Sequence, residues 1–537
     1  MIPEEEALLS SRPISPSTMN QEDVSEKPGG HSAQVAYALN ERRRQALAEV
    51  DNAPFSRFHM KIIIITGVGF FTDSYDIFAI NIASTMLGYV YGKSQVLSDN
   101  QNLGVKVAVP AGTVFGQLIF GWLADVLGRK RMYGVEMIIM VVACFGQALA
   151  GQAHAVNIIA VIVVWRFIHR GRLITAVGAA QGWGGFAGAL VGLIIVSAFK
   201  SSLLNDDPTD LKTCDFMWRL LIGLGAVPGS IAVYYRLTIP ETPRFTMDIE
   251  RNVQQASNDI ENFFATGTFK VDPDAVIQRV AAPKASRRDF CAYFSKWENL
   301  KILIGACWSW FAIDIAFYGL GLNTAIILTA IGFGTPSSDF TGTNAVYQNL
   351  KNICIGNLVL TVAGQIPGAY MTVWLVDIWG RKPIQLMGFA VLTALFVIMG
   401  FAYEKLNDTI AGTKVFVFLY CLSNFFSNFG PNGTVSLVPG EAFPTRYRST
   451  AFGMAAASGK IGAVISQVGF ARLKDIGGEN RFVKHILEIF ALFMLSGIFS
   501  TMLEPETMGR TLEDLSNEDQ DVFIVGIAGQ KDDDQGD

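Results

Sequence analysis

The sequence predicts an all-α membrane protein that consists of two six-helix halves. Half of the 537 residues are hydrophobic, 52 are glycine, and the mean hydropathy is +0.34, values that favour a multispan membrane protein over a large soluble enzyme. A charged motif, Asp-x-x-Gly-Arg-Lys, begins at Asp125 and again at Asp377, and each copy separates two apolar stretches. The copies lie 252 positions apart, so the chain is predicted to contain a duplicated bundle.

Apolar runs of roughly 20 residues, the length that crosses a bilayer, define the elements in chain order. The first set lies near residues 60–82, 108–124, 132–152, 172–199 and 217–238. The second set lies near residues 301–331, 350–376, 384–402, 413–436, 449–472 and 484–503. The predicted organisation is a disordered N-terminus (1–55), a first membrane bundle (56–238), a polar central loop (239–299), a second membrane bundle (300–504) and a C-terminal tail (505–537).

Basic residues predict the orientation of the helices. Clusters of arginine and lysine recur in alternate loops, at residues 42–44, 129–131, 236, 244, 287–288, 381–382, 446 and 448. Because loops rich in Lys and Arg stay on the cytoplasmic side, both termini and the central loop are predicted to be cytoplasmic.

Two parallel six-helix halves are the architecture of major-facilitator transporters, so the predicted activity is transport rather than catalysis. The sequence contains no nucleophile–base–acid set, no phosphate-binding loop and no metal-ligand spacing. No cofactor, metal or nucleic-acid partner is expected. The helices are expected to be surrounded by the lipid bilayer.

The repeated motif is expected to gate the cytoplasmic side, with each Asp capping a helix or pairing locally. The residues assigned to this role are Asp125, Gly128, Arg129 and Lys130 in the first half and Asp377, Gly380, Arg381, Arg446 and Arg448 in the second.

The first half is shorter than the second at its fourth helix. The stretch from Asp377 to Arg448 corresponds to a shorter stretch, from Asp125 to Arg172, in the first half. The difference of roughly 24 residues equals about 36 Å of helix at 1.5 Å per residue. The apolar piece that remains, 156–168, makes about 20 Å of helix, less than the roughly 30 Å hydrocarbon core. We therefore expect about eleven full spans and a truncated fourth helix, whose re-entrant or tilted stub keeps the later helices in their orientation.

Carboxylates within the first half are candidates for proton movement. Asp73 and Asp76 in the first span are three residues apart and share one helical face. Ionisable residues inside a membrane are costly and are by default functional candidates, although a buried ion pair is the alternative for either one. Glu136, just inside the third span, is equally compatible with a proton path and with an interfacial salt bridge.

The seventh span contains a polar stripe. Trp310, Asp314 and Tyr318 are spaced i, i+4 and i+8, so they fall on one face of a helix. A row of aromatic residues is more often packing than binding. A carboxylate between two aromatic residues with polar tips favours a binding site.

Further candidates come from the fifth, tenth and eleventh spans. The segment Asn428–Asn432 is a helix broken by glycine and proline, and such breaks are tolerated where the freed backbone lines a cavity. Lys460 lies deep in the eleventh span, and a buried cation opposite a buried acid would anchor an anion. Gln181 in the fifth span adds a neutral donor and acceptor.

Several of these motifs together resemble the fungal and plant proton-coupled inorganic phosphate transporters. The matching segments are Gly69-Phe-Phe-Thr-Asp-Ser-Tyr-Asp76, Trp310-x-x-x-Asp314-Ile-Ala-Phe-Tyr318, Asn428-Phe-Gly-Pro-Asn432, Glu441-x-Phe-Pro-Thr-Arg-x-Arg448, Ala456-Ala-Ser-Gly-Lys460 and Pro505-Glu-Thr507. The resemblance covers roughly residues 40–515, and the segments of spans seven, ten and eleven are specific to it. It implies a symporter that imports inorganic phosphate with protons across the plasma membrane by alternating access.

The resemblance also implies roles for the candidate residues. Substrate-binding roles fall on Gln181, Trp310, Asp314, Tyr318, Asn428, Asn432 and Lys460. Proton-coupling roles fall on Asp73, Asp76 and Glu136.

The sequence departs from the family pattern at the fourth helix. The family segment Gly-Gly-Asp-Tyr-Pro-Leu-Ser-Ala, expected soon after Trp165-Arg-Phe167, is absent, and its absence coincides with the deficit in the fourth helix. Because that segment supplies an Asp–Tyr pair at the centre of the bundle, one alternative is a transport-defective or sensor-like phosphate-binding variant. A sugar or organic-solute porter of the same fold is the other alternative. The seventh span, however, lacks the Gln-Gln-x-x-Gly-x-Asn pattern of sugar porters.

Overall fold

The computed structural model describes residues 57–92, 95–127, 129–149, 178–208, 210–237, 286–330, 341–478, 481–510 and 512–516. Within these ranges the regular structure is helical, apart from one isolated bridge between Asp207 and Asp210. The long helices of the described ranges are labelled α1 to α11 in chain order.

Five of the long helices in the described ranges belong to the first half. They are α1 (Arg57–Tyr91), α2 (Asp99–Leu127), α3 (Arg129–Ala148), α4 (Gly178–Ala198) and α5 (Lys212–Leu237), with a short helix at Lys200–Asn205. The predicted truncated fourth span falls in the interval 150–177, which lies outside the described residues. The predicted N-terminal segment and most of the predicted central loop lie outside them as well.

Six of the described long helices belong to the second half. They are α6 (Trp297–Gly321), α7 (Gly342–Leu360, continued by a π-helical turn at Thr361–Gln365 and by Ile366–Trp379), α8 (Arg381–Phe401), α9 (Ile410–Asn428), α10 (Arg448–Leu473) and α11 (Val483–Met502). Short helices lie at Arg287–Ser295, Thr324–Ala330, Tyr403–Asn407, Pro431–Thr434, Leu437–Glu441 and Leu512–Leu515.

Eight helices in the described part of the chain are long and apolar enough to cross a membrane. They are α2, the part of α4 from Ala180, the part of α5 to Tyr234, α6, α7, α8, α9 with its continuation to Glu441, and α11. In α3 the apolar part is shorter, Ile138–Ala148. The helix α10 is rich in glycine, alanine and serine because it packs inside the bundle against both α2 and α6. The count of about eleven full spans stays a prediction.

The two halves meet along two pairs of helices, α2 with α10 and α4 with α7. Glycines allow the first pair to pack closely. A Cβ on Gly121 would lie 2.8 Å from the Ser449 carbonyl oxygen, and one on Gly453 would lie 2.4 Å from that of Gln117. We call the end of the bundle with Asp125 and Asp377 the inner end, and the opposite end the outer end.

Candidate functional site

Asp314 and Lys460 form a buried ion pair between α6 and α10. The Lys460 ammonium donates to Oδ2 of Asp314 at 2.5 Å, and both side chains are almost completely buried. An unpaired charge at this depth would cost several kcal/mol, so each residue depends on the other. The structure thus brings together the acid and the cation that the sequence placed in two separate spans.

The close approach of α6 and α10 requires a glycine at position 459. A Cβ on Gly459 would lie 2.4 Å from Cδ1 of Trp310 and 2.9 Å from Oδ2 of Asp314. One turn beyond Asp314, the ring of Tyr318 lies 4.2 Å from Nζ of Lys460, within the range of a cation–π contact. Asp314, Tyr318 and Lys460 therefore form one polar cluster, and Trp310 closes its side.

Three amide side chains form a second cluster, between the halves. Nδ2 of Asn432 lies 3.3 Å from Oε1 of Gln181 and 2.9 Å from Oδ1 of Asn428, and it donates to both. Gln181 belongs to α4 in the first half, whereas both asparagines belong to the second. The short helix Pro431–Thr434, which contains Asn432, also packs on α6. The amide cluster therefore lies on an element next to the one with Asp314.

The break after α9 is stabilised by neighbouring helices. The helix ends at Asn428, whose carbonyl accepts a hydrogen bond from Oγ1 of Thr372 at 2.6 Å. Pro431 opens the next short helix and lies against Gly388 of α8, where a Cβ would come within 2.4 Å of the proline Cδ. A backbone carbonyl freed in the membrane interior needs such a partner, and the threonine supplies it.

A cavity between the halves lies near the outer end of α6. Its lining residues are Phe78, Ile82, Gly185 and Ala189 from the first half and Gly321, Thr324, Asn357, Leu360, Thr361, Gln365, Tyr420 and Asn424 from the second. The polar groups of this lining are amides and hydroxyls. Asn424 connects the cavity to the amide cluster, because its carbonyl accepts from Nδ2 of Asn428 at 2.9 Å. The π-helical turn Thr361–Gln365 adds two lining residues, and such turns are frequent at functional sites.

The proton-coupling candidates of α1 lie where α1 packs on α4. Asp76 is buried and Asp73 is half-buried. Gly184 of α4 fits closely against this stretch, since a Cβ there would lie 2.3 Å from the Phe71 carbonyl oxygen. Glu136 lies in α3, and its side chain lies outside the described residues. The roles of these three carboxylates remain predictions.

Asp125, in the first copy of the repeated motif, reaches across to the second half. Its carboxylate accepts hydrogen bonds from the backbone N–H groups of Ser449 and Thr450, at 3.1 and 2.7 Å, and from Oγ1 of Thr450 at 2.9 Å. These groups form the first turn of α10, where a carboxylate is stabilised by the helix dipole. Asp125 thus caps a helix, as expected, but the helix belongs to the other half of the molecule. Gly128 and the side chains of Arg129 and Lys130 lie outside the described residues.

The second copy of the motif acts within its own half. Arg381 pairs with Asp377 at 2.7 Å and with Glu441 at 3.2 Å. Gly380 has a φ of +91°, a conformation that favours glycine, and a Cβ there would lie 2.5 Å from Oε2 of Glu506.

The two arginines before α10 are also held within the second half. Arg446 donates to Oδ2 of Asp289 at 2.8 Å, and Arg448 donates to the Phe443 carbonyl at 2.9 Å. Asp289 belongs to the short helix Arg287–Ser295, which precedes α6. The arginines thus attach this short helix and the α9–α10 connection to the inner end.

Comparison with known proteins decides the family. A family model described as sugar (and other) transporter matches residues 61–169 and 167–518. The chain belongs to this family of the major facilitator superfamily. It is therefore a multi-pass membrane transporter and not an enzyme. The two matched segments meet at residues 167–169, inside the interval in which the first half is shorter than the second.

Characterised members of the family are similar over most of the chain. A repressible high-affinity phosphate permease of Neurospora crassa is 47% identical over 528 residues, covering 89% of this chain and 90% of the permease. The inorganic phosphate transporter PHO84 of Saccharomyces cerevisiae is 44% identical over 527 residues, covering 89% of this chain and 87% of the transporter. These relatives confirm the resemblance found in the sequence.

Solved structures of other transporters share the fold. A double-tryptophan mutant of XylE has a TM-score of 0.61 at 16% identity, covering 86% of this chain and 99% of that one. The proton:xylose symporter XylE with a bound bromo-deoxyglucose has a TM-score of 0.58 at 17% identity, covering 85% and 98%. At this identity the likeness shows the fold alone, and it confirms the predicted fold class.

Two buried polar residues of α2 were not singled out from the sequence. Lys106 is 5% exposed, and Gln117 is 1% exposed with neither side-chain amide atom hydrogen-bonded among the described residues. The available signal was the position of both residues in a membrane helix, where polar side chains are costly. Lys106 lies just before the apolar run predicted at residues 108–124, so the sequence pattern does not place it in a membrane helix.

Proposed function

We propose that this chain is a proton-coupled symporter that imports inorganic phosphate across the plasma membrane by alternating access. The buried Asp314–Lys460 pair is the observation that carries the proposal. It supplies one cation and one anion at the interface of α6 and α10, next to the amides that connect the halves. Both relatives at 44–47% identity are described as phosphate transporters.

The chemistry of the pair suits phosphate. A phosphate monoanion has both oxygens that accept hydrogen bonds and hydroxyl groups that donate them. The Lys460 ammonium would donate to an oxygen, and the Asp314 carboxylate would accept from a hydroxyl. Sulfate has no proton at neutral pH and would present only acceptors to Asp314, so the site would reject it by like-charge repulsion.

The amide cluster completes the phosphate site. Gln181, Asn428 and Asn432 can each donate or accept, which suits a ligand with both kinds of group. Because Gln181 belongs to one half and the asparagines to the other, a bound phosphate would contact both halves. Phosphate binding would then favour the arrangement in which the halves close around it.

Proton coupling is assigned to Asp73, Asp76 and Glu136. Protonation of these carboxylates from outside would remove negative charge from the first half and favour arrival of the anion. Release of the proton inside would weaken phosphate binding and favour its departure. The charge pattern of the loops supports cytoplasmic termini, which makes the inner end the cytoplasmic one.

A phosphate-binding form without transport is the second candidate. The specific observation in its favour is the short interval predicted for the fourth span, which precedes α4. The family model also matches the chain in two segments, which meet in this interval at residues 167–169. Loss of part of the predicted fourth span, which precedes α4, would remove side chains from the centre of the bundle. The helices α6, α9 and α10 would still be able to bind phosphate.

Uptake of radiolabelled phosphate in a yeast strain without its own phosphate transporters tests both candidates. Uptake is measured at pH 5 and pH 7, with surface expression checked, for this chain and for a version with the missing fourth-helix segment restored from a relative. Faster uptake at pH 5 by the chain itself is the result that symport predicts. Uptake by the restored version alone would establish the non-transporting form. No uptake by either version would overturn the proposal.

A further inference from the structure

Lys106 is a buried cation that the phosphate site described above does not use. Its ammonium donates to Oδ1 of Asn323 at 2.9 Å, and its side chain is 5% exposed. Among the described residues no carboxylate pairs with it. A buried ammonium whose hydrogen-bond partner is a neutral amide favours the arrival of an anion.

A chain of amides connects Lys106 to the Asp314–Lys460 cluster. Nδ2 of Asn323 donates to Oε1 of Gln467 at 3.1 Å, and Nε2 of Gln467 donates to the Tyr318 carbonyl at 2.7 Å. Gln467 and Lys460 are seven residues apart on α10, or about 10 Å along the helix axis. Lys106 therefore lies about two helical turns closer to the outer end than the Asp314–Lys460 pair.

The contact between Lys106 and Asn323 also joins the two halves. Lys106 belongs to α2 in the first half, and Asn323 follows α6 in the second. A further contact at the outer end runs from Nη2 of Arg472 to Oδ1 of Asn100, at 2.8 Å. Separation of the halves at the outer end would move Asn323 away from Lys106 and leave the ammonium facing the opening.

The two lysines differ in the charge around them. Lys460 is neutralised by Asp314, whereas the hydrogen-bond partner of Lys106 in the described part of the chain is the neutral amide of Asn323. We propose that Lys106, with the amides of Asn323 and Gln467, forms an outer anion subsite that receives incoming phosphate. A phosphate oxygen takes the place of the Asn323 amide oxygen on the ammonium, and the amides accept from a phosphate hydroxyl. The anion then passes to Lys460. The assignment of phosphate as the anion rests on the proposed function.

Equilibrium binding of radiolabelled phosphate to the purified chain in lipid nanodiscs tests the subsite. Asp314→Asn combined with Lys460→Met removes the central pair, so binding that remains in this background is assigned to Lys106. We expect weak residual binding, and a further Lys106→Gln change should raise its Kd at least about tenfold, the loss of one charge-assisted hydrogen bond. Asn323→Asp should do the same, because its carboxylate neutralises the lysine. Lys200→Gln, which removes an exposed cation near the outer end, should leave Kd unchanged.

The association rate in the otherwise unchanged chain is the second measurement. Lys106→Gln is expected to lower the association rate constant for phosphate by about tenfold, since it removes an attracting charge, and Lys106→Arg is expected to preserve it. Absence of residual binding, or residual binding unaffected by both Lys106→Gln and Asn323→Asp, would overturn the subsite. Unaltered association in Lys106→Gln would do so as well. Phosphate binding by the unchanged chain that is no tighter than in the double variant would instead refute the central site of the proposed function.

Discussion

At the residue scale, the ion pair of Asp314 and Lys460 is the central feature of the proposed phosphate site. The two charges cancel, so the pair can persist in the membrane interior without a ligand. In the proposed site, a phosphate that enters between them would gain a donor on one side and an acceptor on the other. Gly459 permits this arrangement, because a larger residue would push α10 away from α6.

The pairing predicts the stability of charge variants. Asp314→Asn is expected to destabilise the protein by about 3–5 kcal/mol, because it leaves Lys460 buried without a counter-charge. Asp314→Asn with Lys460→Met removes both charges and should recover most of that loss, although it should not restore tight phosphate binding. Thermal unfolding of the purified variants measures this. A double variant as unstable as the single one would show that the two charges do not depend on each other.

The glycine contact predicts a local effect on binding. Gly459→Ala is expected to weaken phosphate binding by at least about tenfold, because small displacements of site residues have effects of this size or larger. Gly469→Ala is the matched control, since it lies on the same helix and its Cβ would have no atom within 4 Å. Binding isotherms of the two variants make the comparison. Equal affinities would mean that the α6–α10 approach does not matter for the site.

Helical spacing explains why part of this site could be predicted from the sequence. The stripe of Trp310, Asp314 and Tyr318 follows from the helical period, and Lys460 stood out as a lysine inside an apolar helix. The partners of Asp125 and Lys106 could not be predicted, because they depend on how the two halves pack. Backbone groups that form hydrogen bonds, such as the N–H groups in the first turn of α10, cannot be recognised from the pattern of side chains.

At the scale of the elements, the segment after α11 completes the inner end of the second half. Glu506 accepts from the backbone N–H groups of Arg381 and Lys382, at 3.1 and 2.9 Å, and so caps the start of α8. Burial opposes the ionisation of Glu506, but these N–H donors outweigh it and lower its pKa. Glu504 differs, because it is buried beside the Gln385 amide. Burial raises the pKa of Glu504 from 4.5 to about 7.

The raised pKa of Glu504 predicts a pH-dependent stability. The folded protein holds this proton more tightly than the unfolded chain, so the stabilisation is complete below about pH 4.5 and is lost as the pH rises through about 7. Glu504→Gln cannot ionise. The melting temperature of Glu504→Gln, relative to that of the unchanged protein, should therefore rise between pH 5 and pH 8. Melting curves of both proteins at these pH values check this, and a constant difference would contradict the assignment.

At the scale of the whole molecule, the halves are in contact at both ends. Asp125 holds the first turn of α10 at the inner end, and Lys106 bonds to Asn323 at the outer end. Both contacts start from α2, and each must break in turn for alternating access. The duplication was visible in the sequence as a repeated motif, whereas the difference in role between its two copies required the structure.

The inner contact predicts an asymmetry between the copies of the motif. Asp125→Ala is expected to favour separation of the inner ends, because three hydrogen bonds to α10 are lost. Asp377→Ala is the matched control, since its ion pair with Arg381 stays within one half. Spin-label distances between the inner ends of α2 and α10 should lengthen in the first variant alone. Equal lengthening in both would argue against a specific role for Asp125 in closure.

Competition between phosphate and sulfate for the purified chain tests whether Asp314 and Lys460 form a phosphate-selective site. Bound radiolabelled phosphate is measured at pH 7 in nanodiscs with increasing unlabelled phosphate or sulfate, in the unchanged protein and in Asp314→Asn. We expect that phosphate displaces the label, that sulfate does not, and that Asp314→Asn loses this selectivity. Displacement by sulfate as effective as that by phosphate in the unchanged protein would contradict this expectation.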